Sequence, residues 1–301
     1  MRVGFVRSVL WHRYGPFWVR SLAAAGADVV DADPDAVAAA WDDPRVARVP
    51  GLAFRAAAAE AVASSGVDLL VVPSVNAGYE GARGGAQDPF VADLPGALAQ
   101  VLPGLPPLVA APTDLDAAGV ETTLVSVLGR VNPSAGLVRR VWQTHRADAH
   151  PPAAPGLPAP RDGARAAVAW VGQPWHRAPD DPDVAPGART EAGERILAMY
   201  ALPPADLRAE GWRHDPKLAP SDAEAIGAVL RLARRPDVAR FVVEVDDTAG
   251  ADAWLARKVR ALARRDVDEV PLRDRWTPAA SRDAAPVVEG DVAAADGEGE
   301  G

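Results

Sequence analysis

The chain has 301 residues, 49% of them hydrophobic and 24% charged, enough for two globular domains of ordinary size. It contains no cysteine, which excludes disulfides, zinc–thiolate sites, a cysteine nucleophile and thiolate ligation of an iron–sulfur cluster. The net charge of -9 argues against nucleic acid as a partner, because neutralising phosphates needs a basic face.

The amino-terminal run MRVGFVRSVLW is too short and too interrupted by arginine for a signal peptide, and no apolar stretch of about 18 residues follows. The expectation is a cytoplasmic protein without a membrane partner. Residues 2–6 have strand character and are followed after a loop by a helix over 16–25, with Pro16 in its first turn and Gly26 as its stop. A strand is predicted at 27–30, helices over 34–41 and 52–65, and an apolar strand of LLVV type at 67–72. A helix over 89–101, a strand at 107–110 and helices over 120–130 and 136–145 complete the first half. Apolar strands alternating with helices predict a parallel sheet covered on both faces.

The stretch DAHPPAAPGLPAPRDG at 148–163 reads as an exposed linker, partly in polyproline II form. The alternation restarts with AAVAWVG at 166–172. A helix near 191–200, a helix over 221–234, a strand at 240–245, a helix over 250–264 and a strand at 269–272 follow. Ser221 and Glu224 have the S-x-x-E spacing of a capping box. The expected organisation is a first domain over 1–146, a linker over 147–164, a second domain over 165–275 and a disordered acidic tail over 276–301.

Four loops carry candidate site residues. The loop NAGYEGARGG at 76–85, with Gly81 and Gly84, lies between a strand and a helix, where open α/β sheets bind ligands. It reads either as a backbone nest for a phosphate or as a surface loop. The turn with Gly172, Gln173 and His176 also follows a strand, and His176 is either a donor, acid or base toward a ligand or a cap for local backbone. His12, with Arg13 and Tyr14, occupies the corresponding loop of the first half. Asp246 and Asp247 end a strand, and Thr248 and Gly250 open a helix. An anion at its amides, a hard cation such as Mg²⁺ on the two carboxylates, and a simple helix cap are the three readings. Residues 257–265 read as a solvated helix face, and Trp41, Trp142 and Trp254 as core. The chain lacks G-x-S-x-G, H-E-x-x-H and Walker A patterns, so hydrolase, zincin and P-loop readings have no support.

Four stretches, in order, resemble the D-component relatives of 2-hydroxyacyl-CoA dehydratases, including the domain that accompanies their CoA-enzyme activases. These are VGFVRSVLWHRYGPFW at 3–18, GLAFRAAAAEAVASSGVDLLVVP at 51–73, AVAWVGQPWH at 167–176 and TAGADAW at 248–254. The resemblance implies two Rossmann-like three-layer α/β domains with mostly parallel sheets facing across a cleft, in which His12 and His176 meet. In that family, cysteines at such loops hold an iron–sulfur cluster that passes one electron to the substrate. The positions here that match them are Ala53, Asp88 and Ala249, and methyl groups cannot ligate iron. The resemblance therefore implies a divergent member without the cluster, without cofactor and without redox dehydratase activity. Its cleft is expected to bind a small acidic or CoA-like ligand, or its surface a protein partner. Two alternatives stand beside this expectation. One is a non-redox enzyme using His12, His176 and the Asp246/Asp247 pair in acid–base or divalent-metal chemistry. The other is a structural protein whose cleft is filled by side chains.

Overall fold

The computed structural model describes residues 1–77, 79, 83–116, 119–150, 153–160 and 167–272. Gly81 and the predicted tail lie outside the described residues. Two parallel four-stranded sheets organise the chain. The first contains β1 (Arg2–Phe5), β2 (Asp28–Val29), β3 (Leu69–Ser74) and β4 (Leu108–Pro112) in the order β2-β1-β3-β4. The second contains β5 (Ala167–Val171), β6 (Arg195–Ala198), β7 (Val238–Val245) and β8 (Val267–Pro271) in the order β6-β5-β7-β8. The two orders are the same, so the chain repeats one Rossmann-like topology in two lobes.

In the first lobe, Leu69 and Val71 of β3 face one core and Leu70 and Val72 the other, the alternation expected of a strand buried on both sides. One face is covered by α1 (Trp11–Ala24), α6 (Val120–Val131) and α7 (Ala135–His145), through Trp18, Leu22, Leu124, Leu128 and Val141. The other is covered by α3 (Leu52–Ala63) and α5 (Leu94–Val101), with α2 (Pro34–Trp41) behind α3 and α4 (Pro89–Ala92) ahead of α5. The alanines of α3 are almost all buried and let its backbone lie close to the sheet. The second lobe has one continuous core, formed by β5 to β7 with α8 (Pro204–His214), α9 (Pro220–Ala233) and α10 (Gly250–Ala263).

Several elements depart from the sequence reading. The predicted helix over 16–25 begins at Trp11, so His12, Arg13 and Tyr14 are helical and not in a loop. The i, i+3, i+7 spacing of Trp11, Tyr14 and Trp18 defines that helix, and Pro16 is tolerated on its exposed face. The helix predicted over 89–101 is broken at Asp93, whose carboxylate caps α5 by accepting the Gly96 N–H at 3.1 Å. The helix expected near 191–200 is instead strand β6, because its short apolar run pairs with β5, and length alone did not separate the two forms. Helix α8 was not predicted. It packs on α9 at backbone distance, since a Cβ on Gly211 or Gly227 would lie 1.9 or 1.8 Å from a carbonyl oxygen of the facing helix. The capping box is absent: α9 starts at Pro220 with no side-chain cap, and Ser221 and Glu224 are both turned toward the first lobe. The linker is tied down along the second lobe. The Gly156 N–H donates to Ala201 O at 2.8 Å, Arg235 donates to Pro158 O at 3.0 Å, and Leu157 packs on the core. Among the described residues no helix is long and apolar enough to cross a membrane.

Candidate site between the lobes

In each sheet the strand order reverses between the two central strands, β1 and β3 in one lobe, β5 and β7 in the other. The segments that leave these strand ends meet between the lobes, the position where doubly wound sheets place their ligands. Charged groups lock the approach. Arg13 of α1 donates to both carboxylate oxygens of Glu224 on α9, at 2.9 and 2.6 Å, and Arg208 of α8 pairs with Asp114 at 2.7 Å. Both arginines and Glu224 are nearly buried. The Ser221 N–H donates to Asn76 Oδ1 at 3.0 Å, and the Tyr79 hydroxyl to Lys217 O at 2.9 Å.

One half of the interlobe face is packed solid. Asp246, just beyond β7, accepts the Leu52 N–H at the start of α3, while Thr248 Oγ1 accepts the Gly51 N–H at 3.0 Å. A turn of the second lobe thus caps a helix of the first, supplying acceptors to amides that the helix leaves unpaired. Asp246 does not cap α10, whose N-cap is Ala249 and has no side-chain bond. The Asp246 N–H donates to Asp252 at 2.6 Å, and Asp252 in turn lies 3.1 Å from His176 Nε2. Asp247 is exposed. Among the described residues no group of three histidine or carboxylate side chains is placed to hold a metal ion.

The three positions matched to family cysteines all lie in this half. Ala53 is the second residue of α3, Asp88 caps α4 by accepting the Phe90 N–H at 2.9 Å, and Ala249 precedes α10. A Cβ on Gly51, next to the start of α3, would stand 3.4 Å from the Ala249 Cβ. Phe54 stacks on Phe90 at 5.9 Å and meets Trp175 of the second lobe at 5.4 Å, so apolar rings fill the space between the helix starts. Burial pushes the Asp88 carboxyl up, and the charge of Asp252 adds to that. Gly84, at φ +63°, lies against Asp222 and Trp254. Burial pushes the Asp222 carboxyl up to about 7, although it accepts backbone N–H groups from Ala86 and Gly85.

The other half is open. A cavity of about 320 Å³ is lined by Arg7, Ser8, Trp11 and His12 of the first lobe and by Trp175, His176 and Arg177 of the second. The Arg7–Ser8 part of its wall is held by Glu60 of α3, a carboxyl within an alanine run. Glu60 accepts the N–H groups of Arg7 and Ser8 at 2.6 and 3.1 Å and the Ser8 hydroxyl at 3.2 Å. Burial holds the Glu60 carboxyl above its ordinary range. Leu10 then adopts the left-handed conformation, at φ 53° and ψ 24°, and launches α1. For a leucine this costs on the order of 1 kcal/mol. The first turn of α1 has no side-chain cap and no acidic residue, so the positive end of its dipole is uncompensated locally. Arg7 lies over the Trp11 ring at 4.6 Å and pairs with Asp31 at the surface.

His176 is buried, and its Nδ1 has no hydrogen-bond partner among the described residues. Burial works to lower its pKa, but Asp252, with Glu244 and Asp246 behind it, outweighs burial and holds it above the ordinary imidazole value. Arg177 donates to Glu244 at 2.7 Å from Nε and pairs with Asp183 at 2.9 Å. The Tyr200 hydroxyl contacts Glu244 at 3.3 Å and Gln173 O at 3.4 Å.

The expected site residues therefore divide. His12 and His176 come to one cavity. Arg13 is committed to Glu224, and Tyr14 is a core residue whose hydroxyl donates to Val6 O at 2.7 Å. Gln173 is buried and donates to Ala251 O at 3.0 Å, and Thr248 serves the start of α3. Gly250 is exposed at the first position of α10. Sequence reasoning missed Glu60, Arg177, Asp252 and Glu244. A carboxylate inside an apolar run is the signal that marks Glu60 and Glu244.

Fold and site together define a two-lobed, doubly wound α/β protein with a half-filled interlobe face. No protein-family profile, curated protein or solved structure matches the chain.

Proposed function

We propose that this chain binds a small acidic ligand in the cavity between its lobes, as a cysteine-free relative of the dehydratase D-components that has exchanged the cluster for a packed seam. One observation carries the reading. His12 and His176, one from each lobe, line the same cavity together with two arginines and the uncapped first turn of α1. His176, held by Asp252 through Nε2, lines this cavity with a buried Nδ1 that has no partner among the described residues, and a helix start without an acidic residue favours an anion. The kinship is supported by the repeated topology and by the placement of Ala53, Asp88 and Ala249 at helix starts in one seam, beside the packed rings of Phe54, Phe90 and Trp175. Whether the acid is free or carried on coenzyme A is a matter for direct titration.

The test is thermal denaturation of the full chain with inorganic phosphate, acetate and a panel of acyl-CoA esters. A ligand at a hundred times its Kd stabilises the folded state by about 2.7 kcal/mol, which is a readily measured rise in Tm. His176→Ala and Arg7→Ala should each abolish the rise. Absence of a shift with every anion would sink the proposal. A second reading has one observation in its favour, the buried His176–Asp252 pair, whose geometry suits a base oriented by a carboxylate. Turnover by the purified chain that is lost in Asp252→Asn would favour it.

A further inference from the structure

We infer that the ligand of this cavity is amphipathic, a small monocarboxylate whose apolar tail lies in a second chamber behind His12. The inference rests on the anion reading above and adds the class of ligand.

The second chamber has a volume of about 260 Å³, and His12 and Asp180 line it as they line the first, so the two share a wall. Their linings differ in kind. The first presents Arg7, Ser8, His176 and Arg177 among Leu10, Trp11 and Trp175, whereas the second is walled by Ala154, Pro179, Leu202 and Pro204, with Arg13, bound to Glu224, at its edge. Its one hydroxyl, on Tyr200, is already engaged by Glu244 and Gln173 O. A polyhydroxylated ligand such as a sugar phosphate would find partners only toward His12, Arg13 and Asp180 and would leave hydroxyls unpaired against the alanine, proline and leucine walls, which opposes binding. An alkyl or aryl tail loses nothing and gains from leaving water.

Gly172 lies between a residue of each chamber. A Cβ at that position would lie 2.4 Å from the Tyr200 hydroxyl, which belongs to the apolar chamber, and 3.0 Å from His176 Nδ1, which belongs to the polar one. The missing side chain lets the phenol and the imidazole close on the same point. A carboxylate at the first turn of α1 and His176 then has its α-carbon directed past His12 toward Leu202 and Pro204. The linker supplies Ala153 and Ala154 to the far wall, which gives its attachment to the second lobe a consequence for binding.

The experiment is calorimetric titration of the full chain with acetate, butyrate, hexanoate and octanoate, and with inorganic phosphate as a head without a tail. Affinity should rise about fourfold per added methylene, the equivalent of roughly 0.8 kcal/mol, until the second chamber is full, and then level or fall. In Ala154→Trp, which fills that chamber, the ratio of hexanoate to acetate affinity should collapse to about one. The chain-length series on the unaltered protein keeps the test independent of whether this variant folds. Equal affinity for acetate, hexanoate and phosphate overturns the inference while leaving the anion site standing. Binding by none of the probes overturns the anion reading and this inference with it.

Discussion

The two halves of the interlobe face occupy equivalent places at the strand ends, yet they are built in opposite ways. Around α3, α4 and α10 the chain supplies its own occupants: Asp246 and Thr248 take the amides at the start of α3, Asp252 takes the Asp246 N–H, and Phe54, Phe90 and Trp175 fill the remaining space. Around α1 the first helical turn is uncapped and opens on a cavity of about 320 Å³. Position in the fold is the same on both sides. What differs is whether the polar backbone groups are matched from within. A protein that satisfies its helix starts internally gains rigidity between lobes, and one that leaves them open retains a place for a ligand. This chain does both, with His176 at the junction, paired to the seam through Nε2 and lining the cavity.

The comparison breaks most visibly if seam substitutions prove cheap. Glu224→Ala strands Arg13 with a buried charge and leaves Arg208 to Asp114 alone, and removing one partner of a buried pair costs about 3–5 kcal/mol. Chemical denaturation should show that loss, and a cost near that of a surface change would mean the lobes are not held together there. Asp246→Ala should cost about 1–2 kcal/mol, because it leaves the Leu52 amide without its acceptor and the Thr248 turn without its anchor. If the double variant with Thr248→Ala costs the sum of the two singles, Asp246 and Thr248 do not act as one cap.

Acidity sharpens the same contrast. Asp222 crosses from α9 to the backbone of Gly85 and Ala86 with its carboxyl pushed up to about 7 by burial. Because its folded pKa lies above the ordinary 3.8, the stability its protonated form contributes is complete below about pH 3.8 and is lost as pH rises through 7. Asp222→Asn should therefore stabilise the chain at pH 8 by on the order of 2 kcal/mol, with the gain shrinking toward pH 5. Melts at the two pH values decide it. A gain that does not depend on pH would point to altered packing and not to the charge.

Much of the fold was legible because it is written in local patterns. The LLVV strand, the helix at Pro34–Trp41 and the restart at AAVAWVG all agree with the elements observed. The failures share a cause, which is contact over long distances in the chain. Ser221 and Glu224 satisfy the spacing of a capping box, but Asn76 and Arg13 claim them from more than 140 residues away. Asp246 looks like a cap for the helix that follows it and instead caps one almost 200 residues earlier. The meeting of His12 and His176 followed from the facing lobes, whereas Asp252, which lies within the TAGADAW stretch, showed its role only through its distance to His176.

The smallest effect expected is on the cavity side. His12 is half-buried at the wall between the two chambers, on a helix that is held by Tyr14, Phe17 and Trp18 on its opposite face. His12→Ala should cost less folding free energy than Asp246→Ala, because it uncaps no helix start and leaves the opposite face of its helix packed. It should nevertheless alter the binding of any ligand that spans the wall, which Asp246→Ala should leave largely intact. Denaturation and calorimetry on the two variants form a crossed pair, stability lost with binding kept in one and binding changed with stability kept in the other. If both variants lose stability equally, the cavity is part of the packing that holds the lobes, and the distinction between a filled half and an open half disappears.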